Sequence, residues 1–326
     1  MIAYPALLRI RIPRIAATAA RTFRPTVLTR PYSMEPALQS PLFTRQVVQA
    51  MRSLYPEELA DRAWDNVGLL QENIEPARGG VPPRVLLTND LTVRVAEEAI
   101  RKQVSVIVSY HPFIFRGIKS IGLNDPHQRI VLRLAQHNIA VYSPHTASDA
   151  AIGGVNDWLA SILDQFGVSG ERKVAQPVKG PVPVGFENAG YGRVIELQSE
   201  TVLRRIVQAY ADALGMKHVM VARPKPPAGE TNRIRSVAVC AGSGYDVLKD
   251  TDADLIVTGE MSHHNALRLV MQGKCVLTVF HSNSERGFLR QVLRPKLEEM
   301  LRKEDRAAEV LVSEEDRDPF EIWEAL

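Results

Sequence analysis

The chain has 326 residues, of which 45% are hydrophobic and 24% are charged. These proportions are typical of a globular protein, so a wholly disordered chain is excluded. The length corresponds to about two domains. No run of about 18 apolar residues occurs, which argues against a membrane-spanning helix. Two cysteines are too few for a disulfide framework or a cysteine-rich zinc site, and they favour a reducing compartment.

The charge is unevenly distributed along the chain. The formal net charge is +3, but residues 1–33 contain six arginines and no Lys, Asp or Glu. The remaining chain therefore carries −3, which is +3 minus +6. Because this larger part is mildly acidic, the basic isoelectric point does not indicate direct nucleic-acid binding.

Residues 1–33 have the composition of a mitochondrial transit peptide, since they are rich in Arg, Ala, Thr and Ser and free of acidic residues. We therefore predict a mitochondrial location. The alternative is a disordered leader on a cytoplasmic protein whose working start is Met34.

From residue 40 onward, apolar spacing alternates between the helical and the extended period. In the first half it predicts helices over 41–54, 92–102, 128–137 and 155–166, and strands over 85–88, 104–109 and 139–142. In the second half it predicts helices over 201–214 and 285–303, and strands over 236–240, 255–258 and 276–280. Two segments rich in Gly and Pro predict surface loops, over 168–190 and 223–232, and the first is expected to cross between two lobes. The charged end of the chain is expected to lack structure.

Alternating strands and helices favour βαβ units and largely parallel sheets. We predict an α/β fold of two lobes. Residues 34–167 form the first lobe, residues 168–234 form a connecting region with one helix, and residues 235–326 form the second α/β segment.

Polar residues follow several predicted strands, where α/β sheets gather their chemistry. His111, His145 and His281 each follow an apolar strand directly, as does the segment Thr88-Asn89-Asp90. Asp149 and Glu285 lie four residues after His145 and His281, and residues four apart share one face of a helix. Imidazole and carboxylate ligands together suit Zn, Mn, Fe or Co better than Ca or Mg. Each histidine taken singly also fits a hydrogen-bonded structural residue.

Other motifs leave two interpretations open. The run 241–244, Ala-Gly-Ser-Gly, either holds an anion on backbone N–H groups or forms a tight turn. Glu260 and His264 share a helix face and either line a site or mark a helix start. Cys275, followed by Val and Leu, is expected in the core. The sequence lacks a P-loop, a nucleophile-elbow motif and a dinucleotide-binding glycine pattern, which disfavours those enzyme classes.

Taken together, the motifs resemble those of the Nif-three-like family (NGG-one-interacting factor three), whose bacterial members are also labelled GTP cyclohydrolase type two-like. The motifs that carry the resemblance are Trp64-Asp-Asn-Val-Gly-Leu, Ser109-Tyr-His-Pro-Phe-Ile-Phe, His145-Thr-Ala-Ser-Asp149, Gly153-Gly-Val-Asn156, Gly190-Tyr-Gly-Arg193, Thr258-Gly-Glu260 and His281-Ser-Asn-Ser-Glu285. They occur in the family's order and extend over most of the chain after the leader.

The resemblance implies a dinuclear metal site in the cleft between two α/β lobes, with His111, Asp149, His281 and Glu285 as its ligands. Many family members have two adjacent histidines where this chain has Tyr110 and His111. A phenol is a poor ligand beside an imidazole, so the chain is expected to hold one or two divalent ions. His145 could instead orient a ligand from behind. The resemblance also implies a homo-oligomer, a ring-shaped hexamer built from dimers.

Two functions follow from these observations. The first is a metal-dependent hydrolase, GTP cyclohydrolase-like or acting on another nucleotide-like or phosphate-containing substrate, with Glu260 as proton carrier. Arg116, Lys119 and Arg286 lie near the motifs and could hold phosphates. The second is a non-catalytic metal-binding scaffold with a protein partner, linked to transcriptional regulation through the family's name. An open coordination position would distinguish the enzyme from the scaffold.

Overall fold

Two sheets organise the fold in the computed structural model. The strands of the first sheet lie in the spatial order β1 (Gly68–Gln71), β4 (Ala140–Ser143), β3 (Val106–Ser109), β2 (Arg84–Thr88) and β11 (Glu309–Val312). β1 runs antiparallel to β4, and all other neighbours are parallel. Every residue of β3 and β4 is buried, so these strands form the centre of the sheet.

The second sheet has six strands and is more mixed. Their spatial order is β5 (Gly170–Pro177), β6 (Gly190–Val202), β8 (Arg233–Cys240), β9 (Leu255–Thr258), β10 (Cys275–Thr278) and β7 (Met220–Ala222). β8, β9 and β10 are parallel, whereas β5, β6 and β7 pair antiparallel with their neighbours. The parallel strands therefore end at one edge of this sheet, as they do in the first.

Helices connect and cover the strands. In chain order they are α1 (Leu42–Leu54), α2 (Val93–Arg101), α3 (Pro126–Gln136), α4 (His145–Ala150), α5 (Val155–Gln165), α6 (Leu203–Ala213), α7 (Tyr245–Leu248), α8 (His263–Met271), α9 (Asn283–Phe288) and α10 (Arg294–Glu304). A 3₁₀ turn covers Glu57–Leu59, and a π-helical turn over Leu289–Leu293 joins α9 to α10. Capping side chains fix two helix starts after strand ends: Thr92 accepts the N–H of Val95 in α2, and Asp125 accepts that of Gln128 in α3.

The predicted α/β fold class is confirmed, and the strands form two sheets. Several strands were not predicted from the sequence. Residues 168–190, expected to be a loop, contain β5, whose charged composition belongs to an edge strand with one face in solvent. The charged end, expected to lack structure, contains β11, which pairs in parallel with β2. Strands β1, β6 and β7 were not predicted either. Short or half-exposed strands carry too little apolar patterning to stand out.

The structure describes residues 39–74, 81–226, 228 and 231–323. The predicted transit peptide over 1–33 lies outside these ranges. Within them, no helix is both long and apolar enough to cross a membrane.

Candidate metal centre

Both sheets deliver side chains to one site from the carboxyl ends of their strands. His111 lies two residues beyond the end of β3 in the first sheet. His281 lies three residues beyond the end of β10 in the second sheet, and Glu285 follows in the first turn of α9. Phe280, directly before His281, has a φ of +62°, in the left-handed region that non-glycine residues rarely adopt. This strained backbone turn places the His281 imidazole against the opposite sheet's residues.

Three of the four predicted ligands meet at a common point. One donor atom from each of His111, His281 and Glu285 lies within 4.8 Å of the others. The two Nε2 atoms are 3.3 Å apart, and the Glu285 oxygens lie 3.5 Å from Nε2 of His111 and 3.4 Å from Nε2 of His281. Two imidazoles and a carboxylate form a donor set that suits a divalent transition metal.

A carboxylate holds the far nitrogen of each of these two histidines. Nδ1 of His111 is 2.9 Å from Oδ1 of Asp90, and Nδ1 of His281 is 3.0 Å from Oε1 of Glu260. When Nδ1 donates to a carboxylate, the imidazole presents its Nε2 lone pair to a metal, and the ring cannot rotate away. The arrangement therefore prepares both Nε2 atoms for the same cation.

The space beside these donors is kept open by glycine. A Cβ at Gly242 would lie 2.6 Å from Oε1 of Glu285 and 3.1 Å from Nε2 of His281, and Gly242 itself has a φ of +63°. The side-chain nitrogen of Asn89 donates to Oε2 of Glu285 at 2.9 Å, while the buried Oδ1 of Asn89 has no hydrogen-bond partner among the described residues. The residues present therefore fit a bound divalent ion.

The charges at the site also favour a cation. The Glu285 side chain is 2% exposed, and its ion-pair partners among the described residues are the two histidines. Burial lowers the pKa of His111, but Glu285 and Asp90 outweigh this effect and raise that pKa to about 10. A buried carboxylate thus draws positive charge to this point, and a metal ion competes with the proton for it.

The fourth predicted ligand, Asp149, lies outside the three-residue group. Its Oδ1 accepts a hydrogen bond of 2.5 Å from the hydroxyl of Tyr110, the residue before His111. Burial and the nearby charge of Glu285 raise the pKa of Asp149 to about 6, against the opposing effects of His145 and Tyr110. Burial, Asp149 and Glu285 raise the pKa of Tyr110 well above its ordinary value, so this phenol stays protonated as the donor.

His145 stands close to the same site with its own carboxylate partner. Its Nδ1 is 2.7 Å from Oδ1 of Asp65, and its ring centroid is 5.4 Å from that of His111. The other carboxylate oxygen of Asp65, Oδ2, accepts hydrogen bonds from Thr146. His145 has a φ of +28°, a second strained backbone position at the site. All three histidines that follow strands therefore pair with a carboxylate through Nδ1.

Three residues of the site, Asp65, Asn89 and Asp90, had no role predicted from the sequence. Asn89 and Asp90 belong to a polar segment that follows β2, so their position at a strand end was a usable signal. Asp65 lies in the Trp-Asp-Asn motif, 80 residues before the histidine that it contacts. Such a separation in sequence carries no spacing signal, so this pair could be found only from the folded chain.

The other sequence candidates have distinct surroundings. Among residues 241–244, the N–H groups of Ala241, Gly242 and Gly244 donate to protein side chains, so this run is a tight turn rather than an anion site. Cys275 is 3% exposed, and burial raises the pKa of its thiol to about 11, as expected for a core residue. Arg286 contacts Asp316 and other side chains of the chain itself.

A cavity of about 480 Å³ opens beside His111. Its walls include Asp90, Phe113, His127 and Arg317. The volume falls within the usual range for small-molecule sites. Arg317 is exposed and has no ion pair with another residue of the described ranges, so its charge is available to a ligand.

Comparison with known proteins places this chain in a family. The family model for Duf34/NIF3 (NGG1p interacting factor 3) matches residues 43–319. The chain belongs to this family. A NIF3 homolog from Schizosaccharomyces pombe is 47% identical over 83% of this chain and 95% of its own length, and the NGG1-interacting factor 3 of Saccharomyces cerevisiae is 39% identical over 85% and 96%. The resemblance inferred from the sequence motifs is thereby confirmed.

A solved structure supports the fold of this NIF3-family chain. A Bacillus cereus protein related to NIF3 superposes with a TM-score of 0.72 over 86% of this chain and 98% of its own, at 22% sequence identity. At that identity the likeness concerns the fold.

Proposed function

We propose that this NIF3-family chain is a divalent-metal-dependent hydrolase that acts on a nucleotide-like or phosphate-containing substrate. The observation that carries this proposal is the convergence of two Nε2 atoms and the Glu285 carboxylate, with each imidazole fixed from behind by a carboxylate. A purely structural histidine needs no such pairing on both ring nitrogens. The cost of burying the Glu285 charge is offset only when positive charge occupies this point.

Each site residue has a distinct part in this proposal. His111, His281 and Glu285 hold one divalent ion, which is Zn, Mn, Fe or Co by its donor chemistry. Asp149 is the proposed ligand that extends the site toward a second ion, because its pKa of about 6 leaves it ionised at neutral pH. The Tyr110 hydroxyl donates to Oδ1 of Asp149 and thereby fixes the orientation of the other carboxylate oxygen, Oδ2. The expected stoichiometry is therefore one or two ions per chain.

The bound ion would polarise an oxygen of the substrate and lower the pKa of water, which are the two standard contributions of such metals to hydrolysis. Glu260 holds Nδ1 of His281 through Oε1, and its side chain is 52% exposed. We propose that it also carries a proton to or from the solvent side of the site, while Asp90 has the purely orienting role at His111.

Basic residues near the site suit a phosphate-bearing substrate. Arg317 lines the cavity beside His111, and Arg116 and Lys119 are exposed in the loop that follows this histidine. Guanidinium and ammonium groups bind phosphate oxygens through charge-assisted hydrogen bonds. The cavity thus offers room and positive charge next to the proposed metal.

The test measures metal content and hydrolysis in the same preparations. Purified wild type, Glu285→Gln and His281→Ala are compared by plasma mass spectrometry, with Glu299→Gln as control because Glu299 is exposed on α10. We expect one or two ions in wild type and the control, and less than about a tenth of that in the two site variants. Phosphate-ester and nucleotide hydrolysis should fall in parallel. Full metal occupancy in both site variants would refute the site, and a metal-loaded wild type inert toward every nucleotide and phosphate ester would refute the hydrolase.

A metal-binding scaffold is the second proposal, because the Saccharomyces cerevisiae relative is named as an NGG1-interacting factor. In this case the metal stabilises a surface for a protein partner, and a homo-oligomer, such as a hexamer, presents several copies of that surface. Affinity capture with wild type and Glu285→Gln, each checked for mass in solution, distinguishes the two proposals. Partner binding that depends on metal, without hydrolysis, would favour the scaffold.

A further inference from the structure

Five aromatic rings lead from the protein surface to the proposed metal ligands. Adjacent ring centroids are 6.0 Å apart for Phe115 and Trp64, 5.7 Å for Trp64 and His145, 5.4 Å for His145 and His111, and 5.2 Å for His111 and His281. The two outer rings are well exposed, at 53% for Trp64 and 45% for Phe115. A large aromatic surface is thus presented to solvent one ring away from the histidine group.

Local contacts hold this surface in place. Asp65, the neighbour of Trp64, accepts hydrogen bonds from Thr146 and pairs with His145. The side-chain nitrogen of Asn66 donates at 2.5 Å to the carbonyl of Ile114, the residue before Phe115. The backbone on both sides of the aromatic pair is therefore tied to the site. A preorganised aromatic pair loses little conformational entropy when a ligand stacks on it.

The loop that contains Phe115 also carries positive charge. Arg116 and Lys119 follow Phe115 closely, and both are exposed. Neither forms an ion pair or hydrogen bond with any residue in the described part of the chain. Exposed aromatic faces next to unpaired cations match a ligand that combines a flat ring with an anionic group.

We propose that Trp64 and Phe115 form a stacking surface for a planar heteroaromatic ring, such as a nucleobase, on a phosphate-bearing ligand of the metal centre. This inference rests on the proposed function and specifies which part of the substrate the site selects. Because every base has a π-face, stacking alone accepts adenine and guanine alike. The sugar and phosphate then lie toward the histidines and the basic loop residues.

The experiment compares ligands that differ only in the ring. Manganese-loaded full-length protein is titrated calorimetrically with guanosine monophosphate, adenosine monophosphate and ribose 5-phosphate. The variants are Trp64→Ala, Trp64→Phe and Phe115→Ala, with Trp323→Ala as control because Trp323 is 82% exposed and has no ring contact within the described residues. Metal content and mass in solution are measured for each variant.

We expect wild type to bind both nucleotides about tenfold or more tighter than ribose 5-phosphate, as the usual strength of base stacking implies. Trp64→Ala should lose that preference while its affinity for ribose 5-phosphate and its metal content stay unchanged. Trp64→Phe should keep part of the preference, and Trp323→Ala all of it. Phe115→Ala should lose part of it.

The inference would be overturned by the absence of a preference for the nucleotides in wild type, by no measurable binding of any of the three compounds, or by an undiminished preference in Trp64→Ala. A change of oligomeric mass in Trp64→Ala would identify the surface as a contact between copies of the chain and would overturn it too. If one of these results is obtained while the protein retains its metal, the inference fails but the proposed metal site is not refuted. If wild type binds no metal, the proposed function itself is refuted.

Discussion

Replacing Asp149 by Asn should stabilise the metal-free protein at neutral pH. Asn is nearly isosteric and keeps an oxygen that accepts the Tyr110 hydroxyl, but it cannot ionise. In wild type the ionised carboxylate is buried close to Glu285, which raises its pKa to about 6. The substitution therefore removes an unfavourable charge and leaves most contacts in place.

The size of the effect follows from that pKa. One pKa unit corresponds to about 1.4 kcal/mol, so moving a carboxyl from the ordinary 3.8 to about 6 costs the ionised form about 3 kcal/mol on folding. Because the folded-state pKa is raised, the contribution of Asp149 to stability is fully present below pH 3.8 and is lost as pH rises through about 6. The variant should thus match wild type near pH 4 and exceed it by up to about 3 kcal/mol at pH 7.5.

The assay is urea unfolding of protein stripped of metal by dialysis against a chelator, followed by circular dichroism at several pH values. The informative quantity is the difference between the unfolding free energies of variant and wild type, because the contributions of other titrating groups cancel in it. Asp252→Asn serves as the matched control, since it makes the same chemical change at an exposed position. A difference at pH 7.5 that is zero or negative, or that does not grow between pH 4 and pH 7.5, would refute the reasoning.

Three further outcomes are expected. Gly242→Ala should lose most bound metal with little change in circular dichroism, because its Cβ would lie 2.6 Å from Oε1 of Glu285; normal metal content by mass spectrometry would contradict this. Glu98→Gln should lower the free energy of unfolding by about 2–3 kcal/mol. The reason is that the buried Glu98 carboxylate accepts hydrogen bonds from the Ser313 hydroxyl and the Glu314 N–H and so anchors the segment after β11. Urea midpoints within error of wild type would exclude that anchoring role. Residues 1–33 fused to a fluorescent reporter should direct it to mitochondria, and cytosolic fluorescence would disprove the targeting prediction.

Apolar patterning predicts the centre of this fold well and its edges poorly. Buried strands such as Leu255–Thr258 are continuous apolar runs, so their position can be read directly from the sequence. The edge strand Gly170–Pro177 contains three consecutive charged residues and no fully buried one, and the four-residue strand Glu309–Val312 is too short to show a period. Both are defined by pairing with strands that are remote in sequence, and single-sequence patterns do not encode that pairing.

The candidate site was likewise predicted only in part. Strand-end position and four-residue spacing are local signals, and they marked His111, His145 and His281 together with Asp149 and Glu285 as candidates. The family resemblance then selected His111, Asp149, His281 and Glu285 as the expected ligands. The partners Asp65 and Asp90 were not predicted, since each lies on a different segment from the histidine that it contacts. The sequence thus predicts groups that can bind a metal, while the choice of the partner for each imidazole depends on the tertiary fold.

The pairing of β11 with β2 has a consequence for the synthesis of the protein. Arg84 in β2 forms an ion pair with Glu309 in β11 across a separation of 225 residues. The 225 residues that separate these two must therefore be synthesised before one side of β2 gains its neighbour, and contacts of such long range slow folding. Until then that strand edge is open to pairing with other nascent chains. Early termination before residue 309 should accordingly yield a chain that aggregates.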